Sequence, residues 1–142
     1  MMTKALFYPF ITLFAMMLFA TLGMAAHHGG PKVYFIGLED GQTVSSPLTV
    51  RFGLAGYGVA PAGVDKPQTG HHHLLIDTAL SEDEMQYPIP SDDKHRHFGG
   101  GQTQVTVDLE PGEHTLQLVL GDASHVPLGP EFMSARIIVT VR

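Results

Sequence analysis

Short runs of alternating apolar and polar residues, cut by turn residues, confine this chain to an all-β architecture. From Leu48 to Leu54, Leu48, Val50, Phe52 and Leu54 fall on one side and Thr49, Arg51 and Gly53 on the other. That is the period of two of a half-buried strand. The pattern returns with Val105, Val107 and Leu109, with Leu116, Leu118 and Leu120, and with Ala135, Ile137, Val139 and Val141. Lys32 to Leu38 and His71 to Asp77 complete six candidate strands, and Glu39-Asp40-Gly41 and Glu110-Pro111-Gly112-Glu113 read as turns. No segment shows the 3.6-residue period of an amphipathic helix. The expected fold is an immunoglobulin-like antiparallel β-sandwich of about seven strands, with two long loops, 55–70 and 78–102, and room for a short seventh strand inside the second.

The first residues read as an address rather than as part of that sandwich. One positive charge at Lys4 precedes a charge-free, Leu-, Phe-, Met- and Ala-rich stretch from Ala5 to Ala26 that closes on Gly23-Met24-Ala25-Ala26. This is the order of a secretory signal peptide, residues 1–25, and cleavage after Ala25 puts Gly23 and Ala25 at the small-residue positions. The competing reading is a retained anchor, since about 20 apolar residues span a bilayer; Pro9 interrupts the run. Residues 26–142, about 117 in all, then form a single domain exported to the periplasm or the medium, with no stable membrane insertion once the signal is removed.

Charge and cysteine content narrow the partners. The chain has 8 basic and 14 acidic residues for a net charge of −6; without Lys4 it is −7. A surface this acidic does not suit nucleic acid or an anionic membrane. There is no Cys, so disulfide staples and thiolate metal ligands are both excluded. A bound metal would rest on imidazole, carboxylate or backbone groups.

Histidine carries the functional signal. Eight of the nine histidines fall in four clusters, namely His27-His28, His71-His72-His73, His95 with His97, and His125. In an immunoglobulin-like topology the chain start, the second-to-third strand connection, the loop before the fifth strand and the last hairpin loop share one end of the sandwich, which gathers all four clusters. Along the third strand Leu74 and Ile76 face the core, so His72 joins them, and His71 and His73 point together to the other side. A His-x-His pair on a strand sets two imidazoles about 6.5–7 Å apart on one face, a start for a metal site. The candidate ligands are His71, His73, His95, His97 and His125, with Asp93 and Asp122 as further ligands or as acceptors that orient a ring. Three or four imidazoles suit copper or zinc, the Irving–Williams order favouring copper. Cleavage after Ala25 would also leave Ala26-His27-His28, whose amine, two backbone nitrogens and imidazole make a square-planar chelate. His114 opens a strand at the opposite end, at the corner where many such domains place a Tyr bonded back to the backbone, and is expected to be structural.

The segments Thr69-Gly70-His71-His72-His73-Leu74-Leu75-Ile76-Asp77, His95-Arg96-His97-Phe98-Gly99-Gly100-Gly101-Gln102-Thr103, Leu109 to Leu118, Leu120-Gly121-Asp122 and His125-Val126-Pro127 together resemble the exported bacterial domain of unknown function 4399, over Gly56 to Arg142. The resemblance implies a small periplasmic or secreted domain and implies no activity. Many members of that family carry a second His after the Pro of the His-x-Pro segment, where this chain has Leu128. If that residue is a ligand in the family, the site here is one ligand short.

Three functions compete at this level. The leading one is a metal carrier, buffer or sensor that binds a divalent transition ion. A non-enzymatic adhesion or ligand-binding module, with histidines as polar or pH-sensitive contacts, is the second. Of the tyrosines only Tyr57 and Tyr87 lie in the long loops and there is no Trp, which argues against a sugar platform. A metalloenzyme is the third: Asp93 or Glu84 would serve as base, but neither a helical H-E-x-x-H nor a Gly-x-Ser-x-Gly elbow occurs, so the chain reads as a binding protein rather than an enzyme. The sequence points to no protein partner.

Overall fold

In the computed structural model, which describes residues 29–142, two β-sheets face each other across an apolar core. The expected signal peptide, residues 1–25, and the expected Ala26-His27-His28 chelate lie outside the described residues. Nine strands form: β1 (Lys32–Ile36), β2 (Gln42–Val44), β3 (Leu48–Ala55), β4 (Gly58–Val59), β5 (Thr69–Ile76), β6 (His95–His97), β7 (Gln104–Val107), β8 (Gly112–Gly121) and β9 (Ile137–Val141). One sheet has the order β1-β3-β7, all antiparallel. The other runs β2-β9-β8-β5-β4, with β6 also on β5. The chain changes sheet at β1–β2, β2–β3, β3–β4, β6–β7 and β7–β8, as in an immunoglobulin-like sandwich. Among the described residues no helix is long and apolar enough to cross a membrane.

The alternating runs become the inner faces. Val50 and Phe52 of β3 meet Leu74 of β5, Leu116, Leu118 and Leu120 of β8, and Val139 of β9, all at most 3% exposed. Each such side chain contributes about 1.5–3 kcal/mol on burial, so this layer holds the two sheets together.

β5 departs from the alternating pattern because it is buried on both faces. Its inner side carries His72, Leu74 and Ile76. Its outer side carries His71, His73 and Leu75, and long loops cover it. There Leu75, Ile89 and Val119 form a second apolar cluster with Leu80 and Met133 packed on it. The register pairs His71 with Gly121 and His73 with Val119 on β8, and His73 with His97 on β6.

Two features of the long loops affect the site: a short strand within 78–102 matches the sequence expectation, and the return of 55–70 to the sheet departs from it. The 78–102 loop folds back as β6, so a histidine-bearing strand borders β5 directly. The 55–70 loop also returns: β4 pairs with Thr69 and Gly70, and Ala60 N–H donates to the Gly70 carbonyl at 2.8 Å.

Candidate metal centre

Four imidazoles meet on the outer face of the larger sheet, at the end where β5 begins and β8 finishes. They belong to His71 and His73 of β5, His97 of β6 and His125 of the β8–β9 connection. One ring nitrogen from each lies within 4.8 Å of the corresponding nitrogen of the other three. Strand geometry accounts for three of the rings. His71 and His73 are two residues apart on one face of β5, and His97 is the cross-strand partner of His73. The fourth needs a turn. His125 adopts a left-handed backbone conformation (φ 69°), its N–H donates to the Asp122 carbonyl at 3.0 Å, and its carbonyl accepts from Ile89 N–H at 2.9 Å.

Asp122 organises that turn. Its Oδ1 accepts from the backbone N–H of Ser124 at 2.7 Å and of Val126 at 3.0 Å, which brackets His125. It also places a negative charge near His71. The carboxylate thus positions the ligand-bearing loop instead of contacting a ring nitrogen.

Two glycines make room for the rings, and neither was singled out from the sequence. A Cβ on Gly121 would stand 2.8 Å from Cε1 and 3.2 Å from Nδ1 of His73. A Cβ on Gly99 would stand 2.6 Å from Nε2 of His97 and 3.1 Å from the Ala62 methyl. A backbone strap then ties the two outlying ligand segments together: Ala62 N–H donates to the Gly99 carbonyl at 2.8 Å, and Gly63 N–H to the Ala123 carbonyl at 2.9 Å. The signals were present as Gly99-Gly100-Gly101 and Gly121-Asp122, but a turn glycine and a glycine that clears a ring look alike in sequence.

The electrostatics favour neutral rings. Burial, followed by the neighbouring His125 and His97, holds His71 down at about 4, against an ordinary value of 6.5. Burial, then His71, His97 and His125, holds His73 at about 3. His97 is lowered by burial and by His125. Neutral imidazoles keep the lone pairs that a metal requires. The hydrogen bonding is meanwhile incomplete. Nε2 of His71 meets Nδ1 of His125 at 3.1 Å, but Nδ1 of His71, both ring nitrogens of His73 and Nε2 of His97 are buried without a partner. A buried polar atom left unmatched costs about 1–3 kcal/mol, and an ion taking one nitrogen from each ring would offset part of that cost.

The other candidate residues stand apart from the four. His95 lies on β6 opposite Leu75, and its Nδ1–H donates to Asp92 Oδ1 at 2.9 Å. Asp93 is exposed in the loop beside it. His72 faces the core against the Phe52 ring (centroids 5.2 Å apart), with both nitrogens unpartnered; burial and then His71 hold it at about 4. His114 lies at the opposite end and is structural. Its Nδ1–H donates to Asp77 Oδ2 at 2.7 Å and its Nε2–H to the Glu110 carbonyl at 2.8 Å, which raises its pKa.

Comparison with known proteins gives a family and no activity. Residues 50–142 match the Domain of unknown function (DUF4399). No curated protein and no solved structure matches.

Proposed function

The chain belongs to the DUF4399 family, whose description carries no activity, and from that premise we propose that it binds one divalent transition ion, copper or zinc, through His71, His73, His97 and His125. It acts as a carrier, buffer or sensor of that ion in the periplasm or outside the cell. The observation that carries the reading is the convergence of four imidazoles, three of which, His71, His73 and His97, have buried ring nitrogens without a partner. Export is supported by the charge-free run from Ala5 to Ala26 with its small-residue end. The burial of His71 and His73 weighs against histidines serving as surface contacts for a glycan or protein.

The test is calorimetric titration of the untagged protein with copper(II) and zinc(II), in the wild type and in a variant carrying His27→Ala and His28→Ala. Expected is one ion per chain, bound equally tightly by both proteins and at least tenfold more weakly by His97→Ala. Binding that disappears with His27 and His28 would reduce the activity to an N-terminal chelate. Binding by His97→Ala that equals wild type would remove the cluster from consideration.

A further inference from the structure

We infer that the four-histidine frame is built for a tetrahedral ion, zinc(II), and disfavours square-planar copper(II); this rests on the reading of His71, His73, His97 and His125 as ligands. The six separations between ring centroids carry the argument. They are 4.7 Å for His71–His73, 5.1 Å for His71–His97, 5.0 Å for His71–His125, 5.2 Å for His73–His97, 6.1 Å for His73–His125 and 4.6 Å for His97–His125. Four rings at the corners of a square would show two long diagonals, each about 1.4 times the side, on pairs that share no residue. Here the one long pair is His73–His125, and the pair that shares no residue with it, His71–His97, at 5.1 Å falls within the 4.6–5.2 Å range of the sides. The four rings therefore stand at the corners of a distorted tetrahedron.

The backbone explains why. His71, His73 and His97 rise from the surface of one antiparallel pair and form a triangle, and His125 descends on that triangle from the β8–β9 connection. Its ring stands 84° from that of His71, 89° from that of His73 and 81° from that of His97. Flattening the set would require the His125 turn or the end of β6 to shift sideways. Both are pinned, the first by Asp122 and Ile89, the second by the β5 ladder and the Ala62–Gly99 hydrogen bond.

Ligand chemistry separates the tetrahedral ions. Copper(I) also accepts four ligands in this shape but is selected by thiolate and thioether sulfur, and the quartet holds only imidazole nitrogen. Four imidazole nitrogens in a closed tetrahedron suit zinc(II) and leave no position for a reacting water. The site thus suits holding an ion rather than hydrolysis.

Cobalt(II) serves as the visible probe in the full untagged chain with His27→Ala and His28→Ala. Expected is the intense visible absorption of four-coordinate cobalt, abolished by stoichiometric zinc(II) and lost in both His97→Ala and His125→Ala. A bound cobalt that gives only the faint absorption of six-coordination overturns the tetrahedral inference and leaves metal binding standing. Copper(II) bound with the axial paramagnetic resonance of a planar four-nitrogen set overturns it likewise. Failure to bind cobalt, zinc or copper overturns both the inference and the reading beneath it.

Discussion

Nε2 of His71 lies 3.1 Å from Nδ1 of His125, which joins the strand that starts the cluster to the loop that completes it. One ring must donate a proton to the other in the metal-free protein, and an ion bound by both would displace that proton. His125→Ala strips Nε2 of His71 of its partner, at a cost of about 1–3 kcal/mol to the metal-free protein. It should also abolish most of the zinc-induced rise in melting temperature. Thermal unfolding with and without zinc checks both effects. A variant that gains as much from zinc as wild type would show that His125 is not a ligand.

The buried histidines make stability depend on pH in a direction that can be worked out. An unfolded chain takes up protons at His71, His72 and His73 as pH falls below 6.5, whereas the folded chain resists until about 4, 4 and 3 respectively. The unfolded state binds more protons throughout that window, so stability falls as pH falls through it, each unit of difference being worth about 1.4 kcal/mol. His114 has the opposite sign: its contribution is complete below 6.5 and is lost as pH rises through its raised value. Denaturant midpoints should therefore drop steeply between pH 6.5 and 4. A flat profile there would mean that the folded cluster takes up protons freely.

His72 predicts a gain. Its ring is fully buried against Phe52 and neither nitrogen has a partner, so its polarity costs free energy. His72→Leu should leave the unfolding free energy unchanged or raise it by about 1 kcal/mol, with zinc affinity retained. Loss of zinc binding in this variant would show that His72 takes part in the site.

Gly121 tests the space around the rings. Its backbone does not need the left-handed region, so Gly121→Ala adds a methyl without strain in φ, and the methyl meets the His73 ring. Zinc affinity should fall at least tenfold, about 1.4 kcal/mol, with the β-rich circular dichroism unchanged. Unaltered affinity would mean that the His73 ring moves aside without loss.

His114 supplies the control at the far end. His114→Ala removes two hydrogen bonds, one to the Asp77 carboxylate and one to the Glu110 carbonyl, and should cost about 2–4 kcal/mol in both metal-free and metal-loaded protein. The temperature shift caused by zinc should match wild type. A smaller shift would connect the two ends of the sandwich.

What could be seen in the sequence, and what could not, follows from the range of the forces involved. Alternation is local, so β3, β8 and β9 and the opposite orientations of His72 and of the His71–His73 pair were legible from neighbouring residues. His97 and His125 needed only the strand connectivity of the fold. The bounds of the short strand expected within 78–102 were hidden because its three residues, His95–His97, carry no apolar alternation and take their order from β5 beside them. His95 shares a face with His97, and alternation alone would enlist it; Asp92 holds it instead, in a local turn whose side-chain contact the alternating pattern does not encode. The Ala62–Gly63 strap is a pair of backbone bonds to distant carbonyls and leaves no trace in side-chain pattern.

The pairing of His71 with His125 also bears on how a chain without cysteine keeps its loops in place. These residues are 54 apart in sequence, and an ion held by both closes that span as a covalent cross-link would. Restricting so long a loop narrows the unfolded ensemble. Unlike a disulfide, the link would be indifferent to reductants and would open instead to chelators and acid. The architecture would be tightened by metal supply rather than by the redox state of its surroundings.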